Sequence, residues 1–323
     1  MSEIVSSFWF GDFRLRCGDF CGSDFQILSA EPAEKEMSVL VDRYLSLSKE
    51  GVSGVSGIDL RKLAVSSGFC ASDAEYTALL REVAVSAAQM RVSSSLTPDK
   101  MIIQAVEALD DINETINHLS ERLSEWYGAY YPEPSLTGEE CARFVSQTPE
   151  AASQSEMGAP LGEAEAALLK SFADDICALY DRKSAVEAYI HDKMNAVAPN
   201  VSMIAGELLG ARLLGMAGGL SRLASFPSGT IQVMGAEKAL FRHLRARGPS
   251  PKHGLIFNHP LINGAPHPLR GKLARTFAAS ISLAARTDVY SGQRRPEIKT
   301  SLDEKTARIK ASRGKNAGGR RSL

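Results

Sequence analysis

Residues 97–128 read TPDKMIIQAVEALDDINETINHLSERLSEWYG, and this stretch decides the fold. Thr97 stands as N-cap, Pro98 takes the first helical position, and Asp99 places an acid where the helix dipole favours one. From there Ile102, Leu109, Ile116 and Leu123 recur every seven residues, and Ala105, Ile112, Leu119 and Trp126 form a second series three positions on. An a/d seam held for more than three heptads predicts a coiled-coil helix ending near Tyr131-Pro132. Beyond a loop rich in Ser, Pro and Glu the seam resumes. Leu169, Phe172, Ile176, Leu179, Lys183, Val186, Ile190, Lys193 and Val197 follow a 3-4 spacing up to the break at Pro199. Two such helices can fold back as an antiparallel hairpin and leave seam surface for a second chain. The alternative is a pair of amphipathic helices inside one globular core.

Around this hairpin the 323 residues divide into blocks. Residues 1–96 open with Phe8-Trp9-Phe10, Phe13, Leu15 and Cys17 between glycines, which predicts short strands. Helix-like runs follow at Glu34–Ser48 and Ala71–Met90, with Gly51 to Gly57 interrupting, so the block reads as a small α/β domain. Residues 200–300 are rich in Ala, Gly and Arg, with helices expected at Ser202–Ala217, Gly235–Ala246 and Pro268–Arg286. Residues 301–323 close the chain; Lys305 to Leu323 carries seven basic residues and no acid, which predicts a disordered basic tail. The fold class is therefore mainly α: an N-terminal α/β domain, a long antiparallel coiled-coil hairpin, a helical C-terminal domain and a tail.

Composition places the chain with globular proteins: 44% hydrophobic, 23% charged. The net charge of −1 hides a division. From Asn200 onward there are 21 Lys and Arg against 6 Asp and Glu, a charge of +15; the preceding residues hold 16 basic and 32 acidic ones, −16. Such asymmetry points to two kinds of partner, one polyanionic. The start MSEIVSSFWF lacks the basic and apolar regions of an export signal. Val201 to Leu220 contains Glu207 and Arg212 and reads as a packed helix instead of a membrane span. Five scattered cysteines predict reduced thiols in a cytoplasmic setting.

Catalytic and cofactor patterns are poor. Gly264 to Lys272 has six residues between its glycines and Leu273 where a phosphate loop needs a hydroxyl. Gly215-Met-Ala-Gly218-Gly219 follows a helix, so it is no dinucleotide fingerprint. His243, His253, His259 and His267 are spaced 10, 6 and 8 apart with no cysteine after Cys177, unlike a zinc site. Asp110-Asp111 and Asp174-Asp175 lie on heptad helices, where acids are ordinarily solvated or paired. No enzyme class, metal or cofactor is indicated.

The most specific local pattern is Thr230-Ile-Gln-Val-Met-Gly-Ala-Glu-Lys-Ala-Leu-Phe-Arg-His-Leu244. It reads as an extended run, Ile231 to Met234, turning at Gly235 into an amphipathic helix. Leu240 and Leu244 would face the core, with Lys238, Arg242 and Arg245 lined up on another side. A helix start offers free N–H groups suited to phosphate or a polar partner surface. Glu237 is either a helix-start acid or a contact to a protein partner. On the last long helix Arg270, Lys272, Arg275 and Arg286 add cations beside a Leu269/Leu273/Ile281 core stripe. Cations so spaced can track a phosphate backbone, or form a solvated charged face.

The run from Thr230 to Arg242 closely resembles the signature of the Nop-domain family, core proteins of box C/D small ribonucleoproteins and a spliceosomal relative. The resemblance continues in Ala198-Pro199-Asn200, Gly210-Ala211-Arg212-Leu213, Lys252-His253-Gly254-Leu255-Ile256-Phe257, His259-Pro260, Leu269 to Arg275 and Ala284 to Asp288, and upstream in Ala108 to Ile112 and Leu119 to Gly128. It spans roughly residues 100 to 300. It implies a non-catalytic scaffold that positions fibrillarin for RNA-guided 2′-O-methylation, S-adenosylmethionine being bound by fibrillarin. It implies that Gly235, Ala236, Glu237, Lys238, Ala239, Phe241, Arg242 and Arg245 meet kink-turn guide RNA and a small kink-turn-binding protein. Lys252, His253, His259, Arg270, Lys272, Arg275 and Arg286 would join them. It further implies dimerisation through the seam and fibrillarin binding by the N-terminal block, the part that departs most from the family. The compact length and the lack of a Lys/Glu-repeat tail resemble the archaeal branch, hence a cytoplasmic setting; a nucleolar one would follow only in a eukaryote. The alternatives are the spliceosomal type of Nop-domain factor and a coiled-coil assembly protein with a non-specific basic tail.

Overall fold

The computed structural model describes residues 2–17, 25–49, 58–246 and 248–318; the Gly51 to Gly57 interruption lies outside them. The chain forms two compact units, Met1–Leu96 and Thr97–Leu323. In the first, β1 (Ser2–Phe8), β2 (Gly11–Cys17) and β3 (Phe25–Pro32) form an antiparallel sheet in that order. Gly11 sits where a Cβ would lie 2.7 Å from the Glu31 carbonyl oxygen, so the β1–β2 turn can pass under β3 only without a side chain. Three helices follow: α1 (Met37–Lys49), α2 (Leu60–Ser66) and α3 (Asp73–Ser95). Asp59 and Ser72 cap α2 and α3 by accepting from Lys62 and Glu75 backbone N–H groups. Phe8, Trp9, Phe10, Phe13, Phe69 and Tyr76 interlock as this unit's aromatic core.

The second unit is helical throughout. Its hairpin is α4 (Pro98–Gly128) and α6 (Glu163–Val197), with α5 (Gly138–Gln147) packed against both near the turn. The helices are where the heptads place them, but the seam differs by one residue in its second series. Ile102, Leu109, Ile116 and Leu123 are buried as expected, yet their companions are Val106, Ser120 and Tyr127, four positions on. In α6 Leu169, Ala173, Ile176, Ile190 and Met194 are buried. Ala105, Ile112, Leu119, Trp126, Phe172, Leu179 and Val186 are only partly covered. This corrects the seam assigned to a second chain. Ile102, Leu109, Ile116, Leu123, Ile176 and Ile190 are consumed by the hairpin's own packing, and only Ile112, Leu119, Trp126, Phe172, Leu179 and Val186 retain apolar surface.

From α6 the chain continues through α7 (Pro199–Ala205), α8 (Glu207–Ala217), α9 (Leu220–Ser225) and α10 (Ser228–Val233). Then come α11 (Glu237–Ala246), α12 (Pro260–Asn263), α13 (His267–Tyr290) and α14 (Glu297–Gly318). The core they build crosses residue 199: Ile102, Val106 and Leu109 of α4 and Ile190 and Met194 of α6 pack with Val201, Leu213, Leu214, Phe277 and Ile281. Asp99, on the first turn of α4, accepts the Leu220 N–H at 2.8 Å and so ties the hairpin base to α9. Arg212 of α8 pairs with Asp110 of α4.

The expected disordered tail is corrected as far as residue 318; residues 319–323 lie outside the described ones. Residues 305–318 continue a helix that begins at Glu297, and it is anchored both before the basic run and within it. Ile298 and Leu302 join the main core, Thr306 is buried, and Ile309 packs on Ala265, Leu269 and Leu273. The expected helix Ser202–Ala217 is interrupted at Gly206, whose φ of +78° separates α7 from α8. Among the described residues no helix is long and apolar enough to cross a membrane.

Candidate nucleic-acid interface

The segment from Ser228 to Arg275 builds the surface where most of the expected binding residues collect. Ile231 to Val233 is not extended, which corrects the sequence reading: Pro227 starts a helical turn, and Ile231 and Val233 are carried within α10. Their β-branching is overridden because Ile231 is buried in the core beside α13. Gly235 then turns the chain with φ +85°, and a Cβ there would crowd Leu255 at 3.3 Å. The Glu237 carboxylate accepts the Gly235 N–H at 2.8 Å. Glu237 thus acts as a helix-start acid, closing the turn that launches α11.

α11 has almost no cover. Ala236, Leu240 and His243 are partly buried, the last with its ring hydrogen-bonded to the Gly248 carbonyl. Lys238, Ala239, Arg242 and Arg245 are exposed, and so are Phe241 (58%) and Leu244 (68%). Leu244, expected in the core, faces solvent instead, because among the described residues no element lies over that side. The helix therefore presents two adjoining stripes, cationic at Lys238/Arg242/Arg245 and apolar at Phe241/Leu244.

After α11 the chain returns along α10. Gly254 and Leu255 N–H groups donate to the Gln232 and Met234 carbonyls, and the Gln232 side chain donates to the Lys252 carbonyl at 2.7 Å. A Cβ on Gly254 would lie 2.0 Å from the Met234 oxygen, so this close return requires glycine. It lays the Lys252 side chain against Gly271 of α13. Between them is a cleft of about 430 Å³ lined by Gln232, Ser250, Lys252, Lys272 and Arg275, with three cations and no carboxylate. Its chemistry suits phosphate.

Other expected residues are committed elsewhere. His259 caps α12 by accepting the Leu261 N–H at 3.2 Å and lies on the Phe277 ring at 4.4 Å, and burial holds its pKa below the ordinary imidazole value. It braces the core while part of its surface stays exposed. His253 stacks on Phe257 at 4.5 Å, its pKa lowered by burial and then by Arg270, Lys252 and His267. Arg270 lies over the same Phe257 ring and donates to the Ala265 and Asn263 carbonyls; it too is mainly a brace. Arg286 donates to the Ala224 carbonyl at 3.1 Å and sits about 16 Å along α13 from Arg275, outside the cleft.

A buried polar hub escaped the sequence reading, although its residues lie within the resembling segments. Asp288 accepts from the Asn200 backbone and side chain and from the Val201 N–H, at 2.6–3.0 Å. Asn200 also donates to the Gln293 carbonyl and accepts from the Arg295 N–H at 2.7 Å. The hub joins the start of α7, the end of α13 and the approach to α14. Burial raises the Asp288 pKa, opposed by the Val201 and Asn200 hydrogen bonds. Among the described residues no three His, Cys, Asp or Glu side chains converge as metal ligands.

Residues 135–310, containing this whole surface, match the family described as "Nop: snoRNA binding domain, fibrillarin". An uncharacterized NOP5 family protein of Methanocaldococcus jannaschii is 39% identical over 260 residues, 72% of this chain and 61% of its own length. Nucleolar protein 56 of Homo sapiens is 34% identical over 233 residues, 63% of this chain and 38% of its own. This chain thus spans less than two thirds of either relative. A chain in a solved crystal structure of a fibrillarin/Nop5p complex aligns over 95% of this chain and 100% of its own, with 24% identity and a TM-score of 0.46. With more than half of its residues inside the matched region, the chain belongs to the Nop family.

Proposed function

We propose that this protein is a non-catalytic scaffold of a box C/D guide ribonucleoprotein, holding guide RNA and positioning fibrillarin for RNA-guided 2′-O-methylation. The carrying observation is α11: a helix with exposed cationic and apolar stripes, in the same segment as a three-cation cleft, within the part of the chain that matches a snoRNA-binding family. A bare polyanion would use only the cations. An RNA already bearing a small protein would use both stripes, which is why the composite partner is favoured. In this reading the scaffold's contribution to methylation is placement of partners. S-adenosylmethionine belongs to fibrillarin, which the N-terminal unit would bind, and a second copy would pair along Ile112, Leu119, Trp126, Phe172, Leu179 and Val186.

Titration of kink-turn RNA, bare and protein-capped, tests this. Lys252→Ala with Lys272→Ala and Arg275→Ala should weaken binding to both and flatten the salt dependence by about 0.7–0.9 in log–log slope for each phosphate no longer neutralised. Phe241→Ala with Leu244→Ala should weaken only the capped complex. Equal affinity for any duplex of the same charge, or no distinction between capped and bare RNA, would sink the proposal.

A further inference from the structure

The outward face of α13 continues past the cleft. From Arg275 the exposed stripe runs through Ala279, Leu283 and Arg286 to Tyr290, at the 3-4 spacing of one helix side. Leu283 is 53% exposed and Tyr290 79%. A tyrosine so uncovered leaves a large apolar ring in water. Among the described residues nothing hydrogen-bonds to the Tyr290 side chain or stacks on it. Its surroundings are cationic. Arg286 lies one turn before it, with its Nε held by the Ala224 carbonyl so that the guanidinium has a fixed station. Arg294 and Arg295 follow within five residues, on backbone pinned to Asn200 through the Gln293 carbonyl and the Arg295 N–H. The acids nearby are Asp288, buried in the hub, and Glu297.

We infer that Leu283, Arg286 and Tyr290 form a second RNA contact, a stacking platform for single-stranded nucleotides that leave the kink-turn. This rests on the RNA-binding reading above and deepens it. Tyr290 is about 22 Å from Arg275 along the helix axis, so one nucleotide cannot occupy both places. Base stacking on an exposed aromatic flanked by arginine is tolerant of sequence and needs an unpaired base; a duplex offers only its phosphates. The positive surroundings favour RNA over an acid-poor protein surface or another copy's equally cationic helix end.

The test compares the full chain's affinity for kink-turn RNA with and without a single-stranded oligoadenylate extension, in wild type, Tyr290→Ala and Tyr290→Phe. The extension should tighten binding of the wild type and of Tyr290→Phe, which keeps the ring. Tyr290→Ala should lose roughly 5- to 150-fold on the extended RNA and nothing on the unextended one. No advantage from the extension in wild type, the same advantage in Tyr290→Ala, or its loss in Tyr290→Phe would overturn the platform. Failure of the underlying RNA-binding reading looks different: the unextended kink-turn RNA would then bind no better than an unrelated duplex. Should Tyr290→Ala instead abolish self-association in sedimentation while leaving the extension's advantage intact, the face belongs to a second copy and the inference fails.

Discussion

Helices α11 and α13 belong to the same unit and are built from similar materials, yet they treat their apolar residues in opposite ways. α13 spends Leu273, Phe277, Ala278, Ile281, Ala284 and Ala285 on buried clusters, covered by α7, α9, α10 and α14. α11 leaves Phe241 and Leu244 in solvent. Burial of a large apolar side chain is a main source of stability, so a helix that forgoes it gains little from its own chain. The difference teaches that amphipathic spacing identifies a helix with a side to cover but not what covers it. For α13 the cover is this chain; for α11 it is the proposed partner.

The largest expected effect is the direct contrast. Phe277→Ala should destabilise the second unit by about 3–5 kcal/mol through an unfilled cavity, whereas Phe241→Ala should stay within about 0.5 kcal/mol of wild type. Urea denaturation measures both, and a large loss from Phe241→Ala would mean that α11 has intramolecular cover after all. A smaller effect sharpens the α13 side. Asn200→Ala strips donors from Asp288 and Gln293 and an acceptor from Arg295, at a cost of roughly 1–3 kcal/mol. Faster hydrogen exchange at the start of α14 should accompany it; unchanged exchange there would show that the hub does not hold that helix.

The smallest effect is pH-linked. Burial lowers the His259 pKa from 6.5 in the folded state. Its neutral form therefore contributes stability that is complete above that value and is lost as pH falls through the lowered folded one. His259→Asn, which can still cap α12, should make the second unit less sensitive to acid below pH 6.5, leaving the part due to His253, whose pKa is lowered too. An unaltered acid slope in thermal melts would contradict the assignment.

Much of this is legible in the sequence, and the misses have physical causes. The hairpin helices follow from local periodicity. The second series of the seam is displaced because Ile112 and Leu119 are more apolar than Asn113 and Ser120 beside them. Those flanks owe their partial cover to other elements: Leu119 and Trp126 pack on the core that α5 shares, and Ala105 on the C-terminal core. The basic C-terminal run looks unable to fold because the anchoring Ile298 and Leu302 lie before it. In the interface, the cations of the cleft are visible singly, but Lys252 meets Lys272 and Arg275 only through the Gly254 return.

The sequence by itself determined the two long hairpin helices, where the charge divides and which run carries the family pattern, because these depend on residues near one another along the chain. The tertiary structure alone decided which apolar stripe became core, which cations share a cleft and which histidine is a brace. Those outcomes depend on what lies across space from a side chain, and local spacing contains no record of that.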